Sequence, residues 1–234
     1  MLSPAALLLA DGRFPTGSHA HSWGLEAAVN RGLINDLADV EGWIQGCLHT
    51  TWLLEAAAAA QARGLAVRRG DAVQWTALDG ELGARMTSAP HRDVSRRLGR
   101  QMLRSGRAAW PDSASGGAMT ATGSGPAAGH RQGPFAPLAL GAVAAAAGLD
   151  GATTALVSLH HSVQGANSAA VRLLGLDPYA LASGTARLGP TLADLADRAL
   201  LSGEDPAGLP AGGAPMLDVL FADHHQATMR LFAS

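Results

Sequence analysis

Alanine is the commonest apolar residue of this chain, and nowhere do β-branched or aromatic residues alternate over the length of a strand. Alanine is the strongest helix former, whereas strands draw on Val, Ile, Thr and aromatic rings. Hydrophobic residues make up 47% of the sequence but aromatics only 4%. That imbalance predicts an all-α protein. The 234 residues are enough to bury a sizeable core. Apolar periodicity and breaker residues divide them into about 8–10 helices. Neither half carries enough long aliphatic side chains to stand alone, so residues 1–234 are expected to form a single domain.

Local signals place the helices. Ser3 followed by Pro4 is a cap with proline at the first helical position, and this short helix stops near Asp11-Gly12. A second helix is predicted from about Ser18 to Arg31, stopped by Gly32. The next starts near Asp39, with Val40, Trp43, Ile44, Cys47 and Leu48 at helical spacing. Another is expected from Thr51 to Arg63, ending at Gly64, and Asp71 with Gln74 resembles a capping box opening a helix to Met86. From Pro90 to Ala108, Val94, Leu98 and Met102 form an apolar stripe beside a basic one of Arg92, Arg96, Arg100 and Arg104. Residues 111–134 are rich in Gly, Ser, Ala and Pro without periodicity, which predicts a flexible loop or linker. Helices are expected again near 135–148, 151–174, 178–187, 191–201 and 214–228.

Charge excludes several functions. Charged residues are 15% of the chain, net charge is −2, and all 17 basic residues are arginine. Such a chain lacks the bulk positive charge that phosphate neutralisation in nucleic acids requires. Without lysine it has no P-loop and no lysine-based active site, and no zincin, nucleophile-elbow or dinucleotide-binding motif occurs. The apolar stretch Leu138–Leu149 is shorter than the ~20 residues of a membrane span, and no basic region precedes the apolar start. These signals predict a cytoplasmic protein with no membrane partner. The lone Cys47 sits on an apolar helical stripe, where a buried inert thiol is the expectation.

Histidine is the main ligand-type side chain. The pairs His19/His21, His160/His161 and His224/His225 stand close in sequence, but i,i+1 and i,i+2 neighbours do not share a helical face. Only His19 and His21 are candidates for a metal, and only if they lie in an extended stretch; otherwise they are capping or hydrogen-bonded histidines. No catalytic residue and no tightly bound cofactor is predicted. The four-residue spacing of the arginines repels by a few tenths of a kcal/mol per pair. Carboxylates from another helix or an acidic partner surface should compensate.

Motifs at both ends narrow the reading. Phe14-Pro15-Thr16-Gly17-Ser18-His19-Ala20-His21-Ser22-Trp23-Gly24-Leu25-Glu26 resembles the opening signature of the UreF family of urease accessory proteins, close to F-P-x-G-x-x-(H/Y)-S-x-G-L-E. Arg92-Asp93-Val94-Ser95-Arg96-Arg97-Leu98-Gly99 is similar to its mid-chain R-x-x-S-x-x-x-G helix, and Ala170-Val171-Arg172-Leu173 to its A-x-R-L block. Arg230-Leu231-Phe232-Ala233-Ser234 resembles its R-L-F-x-S ending, with His224 six residues before the arginine. Pro90 and His225 stand where the family commonly has glutamate.

The resemblance implies an all-α, non-enzymatic scaffold of urease maturation. Such a protein would form a homodimer, bind the accessory protein UreD (UreH), recruit the UreG GTPase and help deliver nickel to apo-urease. Nickel would be handled by the complex, not held as a cofactor. Partner contacts are then expected at Phe14, Pro15, His21, Ser22, Glu26, Arg92, Arg96, Arg100, Arg172, His224, Arg230, Leu231 and Phe232. Residues 229–234 would be a partner-binding tail that orders on meeting UreD, anchored by Phe232 and Arg230. Two other readings are a histidine-based nickel-binding protein and a GTPase-activating protein that supplies an arginine in trans.

Overall fold

The computed structural model describes residues 3–111, 113, 133–228 and 230–233; of His19 it describes only the backbone. Most of the predicted 111–134 loop therefore lies outside the described residues, as do Met229 and Ser234 of the tail. Everything described is helix, turn or irregular chain, as the alanine content requires. Eleven α-helices are present among the described residues: α1 Pro4–Ala10, α2 Leu25–Asn30, α3 Leu37–Leu48, α4 Thr51–Val67, α5 Ala72–Arg85, α6 Ala89–Ala109, α7 Ala136–Ala146, α8 Gly151–Leu174, α9 Pro178–Arg187, α10 Gly189–Leu200 and α11 Pro215–Gln226.

Two helices are buried on all sides. Every residue of α4 from Trp52 to Ala62 is buried, and so is every residue of α7 from Pro137 to Ala145. A helix apolar all round must sit inside the fold. Helix α4 packs on α7, α8 and α10, and α6 covers the other side of α7. Small residues make the close approach possible. A Cβ on Gly141 of α7 would lie 2.3 Å from the Ala59 carbonyl oxygen of α4. The apolar run near Leu138 is thus a core helix, and among the described residues no helix is long and apolar enough to cross a membrane.

The predicted caps are in place. Ser3 Oγ accepts from Ala6 N at 3.1 Å, and the Asp71/Gln74 box is closed by bonds of 2.9 and 3.0 Å. Val94, Leu98 and Met102 face the core from α6.

Two helix predictions need correction. Helix α4 does not stop at Gly64 but runs to Val67. The ~1 kcal/mol propensity cost of an interior glycine is outweighed because Leu65 and Ala66 are buried behind it. The predicted helix from Ser18 to Arg31 is broken. A single 3₁₀ turn spans Ser18–Ala20, His21 is extended at φ −122° and ψ 137°, and α2 starts only at Leu25. The break comes from left-handed backbone at Trp23 (φ 55°) and Gly24 (φ 87°). At Gly24 the conformation and the space both demand glycine, since a Cβ would meet Leu217 Cδ1 of α11 at 2.9 Å.

Candidate functional site

The broken segment between Gly17 and Leu25 delivers Glu26 to the first turn of α2, buried at 4% exposure. A buried carboxylate costs several kcal/mol unless donors surround it. Here three do. His224 Nε2 of α11 lies 2.7 Å from Oε2, Leu231 N donates to Oε1 at 2.6 Å, and Phe232 N donates to Oε2 at 3.1 Å. Burial alone would raise the Glu26 pKa. The hydrogen bonds from Leu231, His224 and Phe232 outweigh it and hold the carboxyl below its ordinary range.

The tail is therefore fastened to the chain's own surface. Phe232 is buried, with the Arg172 guanidinium 4.2 Å over its ring. Arg172 occupies the last turn of α8, where its charge also complements the helix dipole. Ala233 N donates to the Ala20 carbonyl at 2.7 Å, so the tail lies against the 3₁₀ turn. Arg230 and Leu231 stay exposed.

The docked tail forms one wall of a pocket of about 360 Å³ whose opposite wall is α6. Among the described residues, Arg96, Arg97, Arg100, His225 and Arg230 line it, together with the carboxylate of Asp93. The basic stripe is partly compensated in cis, as its repulsion required. Arg96 binds Asp79 of α5 in a bidentate pair of 3.0 and 2.8 Å, donates to the Gly133 carbonyl and lies 3.7 Å over the Phe135 ring. Arg92 donates to the carbonyls of Met86 and Thr87, closing the turn between α5 and α6. Arg100 and Arg104 are exposed.

The remaining predicted residues spread between interior and surface. Phe14 is buried against Trp110, with ring centroids 6.1 Å apart, and Pro15 is exposed, its carbonyl accepting from Ser105 Oγ at 2.7 Å. His21 and Ser22 are buried behind the break. His21 is thus extended but enclosed, and the side chain of His19 lies outside the described residues. Among the described residues no group of three or more His, Cys, Asp or Glu side chains could hold a metal ion.

A second polar cluster escaped sequence reasoning. His91 of α6 stacks on Phe221 at 4.4 Å, meets Trp23 edge-on at 5.9 Å, and its Nε2 lies 3.3 Å from Glu55 Oε1 without hydrogen-bond alignment. Glu55 and His91 are both buried. One signal pointed to them: Glu55 is the only charge between Trp52 and Ala62. A carboxylate in a helix apolar all round needs a partner from another element.

The fold and this site define a class: an all-helical protein whose two end segments meet over a buried carboxylate. Residues 34–189 match the family model UreF. Relatives named "Urease accessory protein UreF" align along almost the whole chain. Those from Mycobacterium sp. (strain JLS) and Mycobacterium marinum are 38% and 36% identical, with 97% of both chains covered. That from Mycobacterium bovis (strain BCG / Pasteur 1173P2) is 35% identical with both chains covered completely. The chain belongs to the UreF family of urease accessory proteins.

Proposed function

We propose that this protein is a non-enzymatic scaffold of urease maturation, which with a UreD (UreH) protein recruits the UreG GTPase and helps deliver nickel to apo-urease in the cytoplasm. The observation that carries the reading is the alignment with urease accessory proteins from end to end, covering 97% or more of both chains. Nickel is cargo here and not a resident cofactor. The chain acts as a single domain and pairs with a second copy in the complex.

The site geometry supports a division of labour within the tail. Phe232 and the Glu26–His224 pair hold the tail, while Leu231 (55% exposed) and Arg230 project from it. Met216 and Val219 add exposed apolar surface one turn apart on α11. An apolar anchor beside arginine is the chemistry of interface hot spots. UreD would therefore meet a tail that this chain itself positions, with Arg172 and Glu26 acting from beneath.

The test is co-expression and pull-down of the accessory proteins with full-length chain and with residues 229–234 deleted. Loss of UreD retention at unchanged helix content by circular dichroism is expected. Retention of UreD by the deletion variant would refute the tail's role. Equilibrium dialysis of the isolated chain should show no stoichiometric nickel site in the sub-micromolar range, and one abolished by His21→Ala would replace the scaffold reading.

A further inference from the structure

We infer that the cavity between α3, α8 and α9 is a binding site for a primary ammonium group on a short alkyl stem, and that Arg187 guards its entrance. The cavity has a volume of about 110 Å³ and is lined on its buried side by Asn167 of α8, which is 8% exposed. Asn167 Nδ2 donates to Thr185 Oγ1 at 2.7 Å, and Thr185 Oγ1 donates in turn to the Leu181 carbonyl at 3.0 Å. This relay fixes the orientation of the amide, because a hydroxyl has one proton and Thr185 has spent it. Asn167 Oδ1 is left as an acceptor, and no described residue donates to it. An unpaired buried acceptor is costly, so this oxygen calls for a donor from outside the protein. A second acceptor is Glu41 of α3. Its carboxylate lies over Gly184, where a Cβ would come within 2.8 Å of Oε1. Arg187 Nη2 donates to that same Oε1 at 2.6 Å, which leaves Oε2. Thr185 Oγ1 keeps one lone pair beyond the bonds it already makes. Three acceptors thus meet around Gly184 and Thr185, and an –NH₃⁺ group carries three donors and no acceptor. Ile44, Leu181 and Leu188 supply the apolar wall that a methylene stem needs. The volume takes a handful of heavy atoms and is well below the roughly 300 Å³ of sites for larger ligands. The sequence contains no lysine, so no lysine of this chain can fill the cavity.

Arg187 stands at the outer edge. It is exposed, with Nη1 on Ser183 Oγ at 3.0 Å and Nη2 on Glu41. Exposed ion pairs contribute little, so the guanidinium can swing into water and yield Glu41 to an entering cation. Ammonium binding and opening of the Glu41–Arg187 pair are then coupled, and removing Arg187 should tighten binding. This inference concerns the chain on its own and does not rest on the scaffold reading.

The experiment titrates the full-length, ¹⁵N-labelled chain with n-butylammonium chloride, against tetramethylammonium chloride at matched ionic strength. Saturable shifts are expected at the Asn167 side-chain amide and the Thr185 backbone amide with n-butylammonium, and not with tetramethylammonium, which has no N–H. Glu41→Gln should weaken binding about tenfold or more, and Arg187→Gln should strengthen it about threefold. Gly184→Ala favours the helix yet puts a Cβ against the carboxylate, so it should weaken binding without unfolding the chain. Glu204→Gln removes another exposed carboxylate paired with an arginine, Arg68, and should change nothing. Nα-acetyl-lysine amide bound as tightly as n-butylammonium would identify a lysine side chain as the source of the group, and its exclusion would identify a free amine. No saturable shift, an equal response to tetramethylammonium, or binding unchanged in both Glu41→Gln and Gly184→Ala would overturn the inference and leave the cavity to ordered water.

Discussion

Replacing Glu26 by glutamine should release the tail while leaving the helices intact. The carboxylate accepts from Leu231 N on one oxygen and from Phe232 N and His224 Nε2 on the other. Glutamine offers one acceptor and one donor, so in either orientation at least one backbone N–H faces an NH₂ group. His224 can adapt by changing tautomer, but an amide N–H cannot. Each charge-assisted bond lost costs about 1.5–3 kcal/mol, and the total is capped because the tail can leave and satisfy its amides with water. A loss of about 2–3 kcal/mol lowers the equilibrium constant for docking by roughly 30- to 150-fold. Hydrogen exchange at Leu231 and Phe232 reads this directly, with the amides of α4 as the internal control. Equal protection of the Leu231 and Phe232 amides in wild type and Glu26→Gln would refute the clamp.

Acid should act at two places. His160 and His161 are held below the ordinary histidine value of 6.5, chiefly by burial, so the unfolded state binds protons more readily and stability should decline as pH falls from about 6.5; a denaturant midpoint unchanged between pH 7.5 and 5.5 would contradict this. The lowered Glu26 pKa means that tail docking is fully supported above the ordinary glutamate value of 4.5 and is lost as pH falls through the depressed one, which exchange protection of Phe232 would follow. Gly141→Ala places a Cβ 2.3 Å from a backbone oxygen of α4 and should cost about 1–3 kcal/mol, or a Tm drop of about 2–12 °C. Gly80→Ala on α5 meets nothing within 4 Å and should instead stabilise by about 0.5–1 kcal/mol. Burial, with the nearby Glu55 charge, pushes the Cys47 thiol up to about 12, so its labelling by a disulfide reagent at pH 8 should wait on unfolding; complete labelling within seconds would contradict the buried placement.

The helices were legible because their signals are local. Ser3, Asp71 with Gln74, and the Val94–Leu98–Met102 stripe act within a few residues, and each appears in the structure as read. The break at residues 21–24 was not legible, because Trp23 in left-handed backbone has no local cause. It exists because Gly24 must press against Leu217, nearly two hundred positions away in sequence. Tertiary contact overrides the helical propensity of Ala20 and Leu25 there. The continuation of α4 past Gly64 has the same origin, since burial of Leu65 decides it. Of the site, the side chains could be named but their pairing could not. The bond from His224 to Glu26 and the ring contact of His91 with Phe221 join distant helices, and nothing in sequence spacing specifies such pairs.

The pairing explains why the two end motifs should occur in one chain. Gly24-Leu25-Glu26 and Arg230-Leu231-Phe232 resemble separate family signatures, yet they form a single structural unit. Gly24 makes room for α11, Glu26 takes the His224 ring, and the same carboxylate binds the backbone of the tail motif. The amide N–H groups do not depend on the identity of the residues that carry them. Their register does, because only Phe232 seated under Arg172 puts the two amides opposite Glu26. Exchanging Leu231 and Phe232 would therefore preserve composition and hydrogen-bonding capacity but place the ring on the exposed side. That variant should lose tail protection as fully as Phe232→Ala. If it retains wild-type protection, the tail is held by its backbone alone and the side-chain motif serves only the surface it presents.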